Sequence, residues 1–125
     1  MLKWALAVGA VLVLPAVASA QDAEKGKAVF NTSCKACHDA GEGGGKVGPN
    51  LSGVFGTKAG EHPADYKFSD AMKKSGLTWD EATLNTYLSD WAKKTVPGTL
   101  MNFPGIKDEA KRKDVIAYLK SKGGK

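Results

Sequence analysis

Hydrophobic positions along the chain form one short apolar run at the N-terminus, followed by polar sequence with helically spaced apolar stripes. The run begins at Trp4, after the single charge of Lys3, and ends in three small residues. This pattern is typical of a secretory signal peptide. The run is shorter than the roughly 20 apolar residues that span a bilayer, and Pro15 interrupts it. We predict a signal peptide at residues 1–20, cleaved after Ala20, with an uncleaved anchor as the alternative.

The remaining sequence, residues 21–125, is predicted to fold as a single domain. Its first helix is indicated by small and apolar residues at helical spacing, namely Ala23, Gly26, Phe30 and Cys34. Asp22 stands in front of this stripe and is suited to cap the helix.

Two further helices are predicted in the middle of the chain. Residues 68–76 predict a short helix that stops at Gly76. Residues 78–91 predict a longer one, because Thr78 and Glu81 match a capping box. Its expected apolar face consists of Leu84, Tyr87, Leu88 and Trp91.

The closing helix is predicted over residues 107–124. Its first turn is acidic, its last turn is basic, and its apolar face consists of Val115, Tyr118 and Leu119. The glycine-rich segment 38–60 and the proline-containing segment 96–106 predict loops. Because no segment alternates like a strand, the predicted class is all-α, with three to five helices and long loops.

Composition and charge narrow the function classes. The 125 residues include 15 glycines, so the apolar core of so small a domain is expected to be thin. The net charge of +5 comes almost wholly from lysine, because Arg112 is the only arginine. This basicity suits an acidic partner, whereas nucleic acid is not expected for an exported protein without an arginine cluster.

The only two cysteines, Cys34 and Cys37, stand directly before His38. A structural disulfide would close a tiny loop and leave the histidine without a role. A thioredoxin-like pair requires a βαβ context, and zinc requires a fourth ligand, for which the only other histidine is His62. C-x-x-C-H is the attachment signature of c-type haem, whose two vinyl groups bond the thiols and bring the histidine to the iron. The sequence therefore favours one covalently attached haem c.

The second axial ligand of the iron decides between two functions. An open position favours ligand binding or peroxidase activity, whereas a closed one favours electron transfer. The candidates are Met101, Met72 and His62. Met72 is expected to cover a core edge and His62 to lie in a surface loop. Met101 lies between two rigid turns, where a long flexible side chain has no packing role, and is therefore the predicted ligand. A thioether ligand raises the potential relative to a second histidine.

These segments resemble the class I cytochromes c, most closely the bacterial cytochrome c2 group that is also similar to mitochondrial cytochrome c. The resemblance covers "GKAVFNTSCKACH", "KVGPNLSGVFGTKAG", "YKFSDAMKKSGLTWDEATLNTYL" and "VPGTLMNFPGIKDEAKRKDVIAYLK", in the family's order. It implies a small cytochrome c fold whose loops wrap one haem. It also implies that Gly26 and Phe30 meet Tyr118 where the first and last helices cross.

The resemblance further implies a set of haem-pocket residues. The carbonyl of Pro49 would orient His38, Tyr66 and Trp79 would approach the propionates, and Phe103 would cover the exposed haem edge. Tyr87 and Thr99 would lie near the Met101 sulfur.

Several positions depart from the family pattern. Thr57 replaces an arginine near a propionate, and Leu100 and Ser33 replace lysines, which thins the expected docking patch. One residue is inserted near Trp91, which replaces a proline, and Pro104 replaces a small residue. None of these departures affects the expected ligands.

The implied function is that of a soluble periplasmic monohaem electron carrier, a monomer and not an enzyme. It would carry electrons from a quinol:cytochrome c oxidoreductase to a terminal oxidase or a photosynthetic reaction centre. No membrane insertion is expected. The resemblance implies docking of these membrane redox complexes on a lysine patch of Lys35, Lys46, Lys93, Lys94 and Lys107.

Extraction of the purified protein with acid and acetone is expected to leave the red colour with the polypeptide, because both thiols would hold the haem covalently. Absorption spectra of the two fractions measure the outcome. Colour in the acetone fraction would contradict covalent attachment.

Overall fold

The structure, a computed structural model, describes residues 9–10, 22–41 and 47–123. The predicted signal peptide, its cleavage after Ala20 and Lys46 therefore lie outside the described residues, apart from positions 9–10. The helices are α1 (Ala23–Ser33), α2 (Asp70–Lys73), α3 (Glu81–Leu88), α4 (Ala92–Thr95) and α5 (Glu109–Ser121). The described part of the chain contains no strand, only an isolated bridge between Lys58 and Thr78. The all-α prediction is confirmed.

Helix α1 begins where the sequence predicted. The Asp22 side chain accepts hydrogen bonds from the N–H groups of Glu24 and Lys25, which would otherwise lack partners in the first turn. Gly26 and Phe30 are the buried residues of the helix. The face of α1 that carries Gly26 and Phe30 therefore packs against the rest of the protein.

That face crosses α5 at very close range. A Cβ atom on Gly26 would lie 1.9 Å from the carbonyl oxygen of Asp114, so only glycine fits this position. The Phe30 and Tyr118 rings meet beside it, with their centroids 5.4 Å apart. Asp22 N–H donates to Asp114 Oδ1 at 3.0 Å, which gives the buried Asp114 a partner. The expected contact of Gly26 and Phe30 with Tyr118 is confirmed.

Helix α3 is shorter than predicted at both ends. Its capping box is formed by Asp80 and Thr83, not by Thr78 and Glu81. The reason is that the backbone before the helix bonds to a loop instead: Trp79 N–H donates to Thr57 O, and Gly56 N–H donates to Trp79 O.

At the other end of α3, the prediction placed Trp91 on the apolar face of the helix. The helix ends at Leu88, whose carbonyl accepts from the Ile106 N–H at 2.7 Å. In a continuing helix that carbonyl would accept from Ala92, whose N–H instead donates to Phe103 O at 2.9 Å. Trp91 therefore becomes the residue before α4, and it is partly exposed.

The core forms between α3, α5 and the loops. Val96 and Val115 are its most completely buried large side chains, and Trp79 packs on Tyr87 with ring centroids 5.0 Å apart. Several half-buried residues pack against this core from the loops, among them Cys34, Met101 and Phe103. Segments distant in sequence therefore pack against the same core.

None of the helices in the described residues combines the length and the apolar character that crossing a membrane requires.

Replacing Gly26 with alanine is expected to destabilise the fold by about 1–3 kcal/mol, because its methyl group would overlap backbone of α5. This loss should exceed the gain of about 1 kcal/mol in helix propensity. The control is Gly41→Ala, since a Cβ at Gly41 meets nothing within 4 Å. Denaturant unfolding followed by circular dichroism measures both. Equal stability of the two variants would contradict the proposed crossing constraint.

Candidate haem-binding site

The two cysteines lie in one turn that continues from the end of α1. Cys34 N–H donates to Phe30 O at 2.8 Å, and the N–H groups of Cys37 and His38 both donate to Cys34 O, at 3.1 and 3.0 Å. Cys34 is half-buried against the core, whereas Cys37 is exposed, and both are free thiols. The structure therefore holds the whole motif in a fixed turn without a disulfide.

Burial decides the protonation state of the first thiol. It raises the pKa of Cys34 to about 11, and the neighbouring Cys37 adds a smaller increase in the same direction. Cys34 is therefore a neutral thiol at neutral pH.

His38 is buried and held through one ring nitrogen. Its Nδ1 lies 2.7 Å from the carbonyl oxygen of Pro49, and because a carbonyl can only accept, Nδ1 carries the proton. The neutral ring then has an unprotonated Nε2, the form that coordinates metals. Burial lowers the pKa of His38, and the bond to Pro49 opposes that shift, so the neutral ring is favoured.

Gly48 makes this position of the ring possible. A Cβ on Gly48 would lie 2.4 Å from Cε1 of His38. The Gly48 N–H donates to Cys37 O at 2.7 Å, which ties the loop back to the cysteine motif. The expected contact between Pro49 and His38 is thus present, and Gly48, which the sequence analysis did not single out, is required for it.

Met101 is held at its sulfur and at its backbone. The Tyr87 hydroxyl donates to Met101 Sδ at 3.2 Å, and Met101 N–H donates to Thr99 Oγ1 at 3.2 Å. Gly98 and Gly105, both with φ of +90°, turn the chain on either side. Tyr87 therefore contacts the Met101 sulfur, whereas Thr99 contacts the Met101 backbone.

Tyr87 is itself buried against Trp79. Burial raises its pKa, and a hydrogen bond with Thr99 has the opposite, smaller effect. The hydroxyl remains protonated at neutral pH and is available as a donor to the sulfur.

The other aromatic residues named from the resemblance lie in the loops. Tyr66 donates to Val47 O at 3.1 Å and packs edge-on against Phe68, with ring centroids 4.8 Å apart. Phe103 is half-buried against the core. The side chains of the two remaining ligand candidates are engaged elsewhere. Met72 is buried in α2, and the half-buried loop residue His62 donates through Nε2 to Ser52 O at 2.8 Å.

The lysines of the predicted docking patch differ in their surroundings. Lys94 and Lys107 both bind Asp90, with N–O distances of 2.9 and 3.1 Å. The Lys93 ammonium lies 5.3 Å from the centroid of the Trp91 ring, and Lys35 is exposed. The sequence analysis missed Asp90, although an acidic residue four positions before a lysine is a signal for such a pair.

Arg112 was also missed as a structural residue. Its guanidinium donates to Asn85 Oδ1 at 2.9 Å, to Ile106 O at 2.9 Å and to Lys107 O at 3.1 Å. It thus joins α3 and α5 to the end of the loop that carries Met101. The sequence did offer one signal of this structural role, because Arg112 is the only arginine in the chain.

The residues present fit a covalently bound haem. Two free thiols and a histidine with an unprotonated Nε2 occupy one turn, and an oriented thioether lies in a loop against the same core. Among the described residues, no group of three or more histidine, cysteine or acidic side chains could hold a bare metal ion. The donor set is that of an iron porphyrin rather than of a zinc site.

The comparisons with known proteins agree with this chemistry. The family model for cytochrome c matches residues 23–122. The cytochrome c2 of Rhodomicrobium vannielii is 50% identical over 119 residues, which cover 94% of this chain and 93% of the relative. The cytochrome c2 iso-2 of Magnetospirillum fulvum is 56% identical over 88 residues, 70% of this chain and 90% of the relative. The solved structure of cytochrome cH from Methylobacterium extorquens matches with a TM-score of 0.75 at 56% identity, covering 81% of this chain and 99% of that one.

The fold and these matches define an all-α c-type cytochrome with one covalently attached haem c. The chain belongs to the cytochrome c family and is a cytochrome c2-like monohaem electron carrier.

Proposed function

We propose that the protein is exported to the periplasm and carries single electrons between membrane redox complexes. The donor is a quinol:cytochrome c oxidoreductase, and the acceptor is a terminal oxidase or a photosynthetic reaction centre. It acts as a monomer and turns over no substrate. The observation that carries this proposal is the hydrogen bond from Tyr87 to the Met101 sulfur, because it orients the thioether that is proposed as the second ligand of the iron.

In the proposed centre, haem c supplies one-electron chemistry at an iron that alternates between the ferric and ferrous states. Cys34 and Cys37 would hold the group through thioether bonds. His38 would bind the iron through Nε2, in the orientation that Pro49 favours, and Met101 would bind it through Sδ. Two protein ligands would leave no position open, which favours electron transfer over the rival ligand-binding or peroxidase function.

The surrounding residues adjust this centre. Tyr66 and Trp79 are proposed to lie near the propionates, and Phe103 to cover the haem edge. The Thr99 hydroxyl accepts from the Met101 N–H and so supports the backbone that carries the sulfur. Little reorganisation would then accompany each transfer.

Export follows from the predicted signal peptide at residues 1–20 and its cleavage after Ala20, which leaves residues 21–125 as one domain. The periplasm is also where the proposed redox complexes can be reached. Docking is proposed on the lysine patch of Lys35, Lys46, Lys93, Lys94 and Lys107.

Met101→His is expected to lower the reduction potential by roughly 100 mV or more, within the range of about 0.8 V over which axial ligands set it, because imidazole favours ferric iron relative to a thioether. Met72→Leu, which conserves volume in α2, should change it little. Redox titration, with the absorption band of sulfur-bound ferric haem, measures both. Loss of that band in Met72→Leu alone would show that the wrong methionine is assigned.

Tyr87→Phe is expected to lower the reduction potential by about 20–60 mV, the equivalent of one hydrogen bond. The Tyr87 hydroxyl withdraws electron density from the Met101 sulfur, which favours ferrous iron. Tyr118→Phe is the control, because its ring packs against Phe30 at the helix crossing. An unchanged potential in Tyr87→Phe would argue against a sulfur ligand at Met101.

A further inference from the structure

We propose that Asp90 is an internal competitor for the docking lysines, holding Lys94 and Lys107 until a carboxylate on the partner replaces it. The inference rests on the proposed function and adds a residue that controls docking. The partner it fits is a redox protein with a carboxylate-rich surface.

Asp90 lies where α3 ends and uses both carboxylate oxygens. Oδ2 accepts from Lys94 Nζ at 2.9 Å, and Oδ1 accepts from Lys107 Nζ at 3.1 Å and from the Trp91 N–H at 2.8 Å. Lys107 Nζ also donates to Ser89 O at 3.3 Å. Lysines on α4 and on the segment before α5 thereby share one carboxylate.

The backbone under Asp90 is fixed by the loop that carries Met101. Gly105, with φ of +90°, packs so closely that a Cβ would lie 2.6 Å from the Asp90 nitrogen. The bonds of Ile106 to Leu88 and of Ala92 to Phe103 join the same two segments. The carboxylate therefore has a defined position beside the loop of the proposed sixth ligand.

Asp90 is ionised at neutral pH, as an ordinary aspartate is, and its hydrogen bonds favour the charged form further. The bond from Lys94 comes first, followed by those from the Trp91 N–H and from Lys107, and together they hold the pKa of the Asp90 carboxyl well below its ordinary value. The competitor is therefore present at neutral pH.

This arrangement makes the lysines differ in how strongly they attract an anion. Two ammonium groups and one carboxylate at Asp90 carry a net charge of +1, whereas the Lys93 ammonium lies over an aromatic face that attracts a cation without neutralising it. Lys93 should therefore attract an anion at first encounter more strongly than Lys94 does.

The ion pairs are weak enough to exchange. The side chains of Lys94 and Asp90 are 62% and 37% exposed, and exposed pairs contribute little to stability. A partner carboxylate can thus take over Lys94 and Lys107 as it docks. The complex would form and separate quickly, as a carrier requires.

The test measures the second-order rate at which hexacyanoferrate(III) oxidises the ferrous protein. One electron passes from the protein iron to the anion, which becomes hexacyanoferrate(II). At about 10 mM salt, Lys93→Gln should slow the rate about two- to threefold, and Lys94→Gln by less than about 1.5-fold. The smaller effect is expected because Asp90 holds the Lys94 ammonium at 2.9 Å, so an anion that approaches Lys94 also meets the negative charge of the carboxylate.

The same two variants are then made in Asp90→Asn, which keeps an oxygen acceptor for the Trp91 N–H. In that background Lys94→Gln should slow the oxidation as much as Lys93→Gln does, about two- to threefold.

The single variant Asp90→Asn should speed the oxidation about two- to threefold. Its effect should exceed that of Glu24→Gln, which makes an equal change of charge on α1. All differences should shrink near 1 M salt, where the screening length is about 3 Å. The cation tris(1,10-phenanthroline)cobalt(III), reduced to cobalt(II), should show the opposite sign.

If Lys93→Gln and Lys94→Gln slowed the oxidation equally in the protein that retains Asp90, the inference would be overturned. Fold-effects of Lys94→Gln that are the same in both backgrounds would also overturn it, because Asp90 would then act through net charge alone. In either case the lysine surface would still stand. If no lysine variant changed the rate with either probe, the docking surface would fail as well, and the inference with it.

Discussion

The close approach of Gly26 to the Asp114 carbonyl is the constraint on which the rest of the structure depends. It allows α1 to lie directly on α5, where Phe30 then meets Tyr118. Because the cysteine motif continues from the last turn of α1, the position of that helix also sets the position of Cys34 and His38. A fold with few regular elements is thus anchored at one helix crossing, and the haem site is attached to it.

The site itself is ordered mainly by single polar contacts from loops. Pro49 supplies a carbonyl to His38, Tyr87 supplies a hydroxyl to Met101, and Arg112 ties the end of the Met101 loop to two helices. A glycine-rich domain of this size has little apolar core of its own. A large apolar cofactor would add to the core against which these loops pack.

Two of the departures from the family pattern, Leu100 and Trp91, are exposed. Leu100, which stands before Met101, is 77% exposed, so an apolar side chain is at the surface where the resemblance implied a lysine. Trp91 lies under Lys93, and the neighbouring Asp90 binds two other lysines. These changes leave the ligand residues intact and alter how the surface presents charge.

By itself, the sequence determined the features that depend on local chemistry. The cap of α1 at Asp22, the C-x-x-C-H motif and the apolar spacing of α5 are readable because each is complete within a few neighbouring residues. Only the tertiary structure decided where α3 ends, because the Leu88 carbonyl is taken by Ile106 and not by Ala92. It also decided that Asp90 holds Lys107, a contact between residues 17 positions apart. Such contacts depend on how the loop folds back, and no local pattern encodes that return.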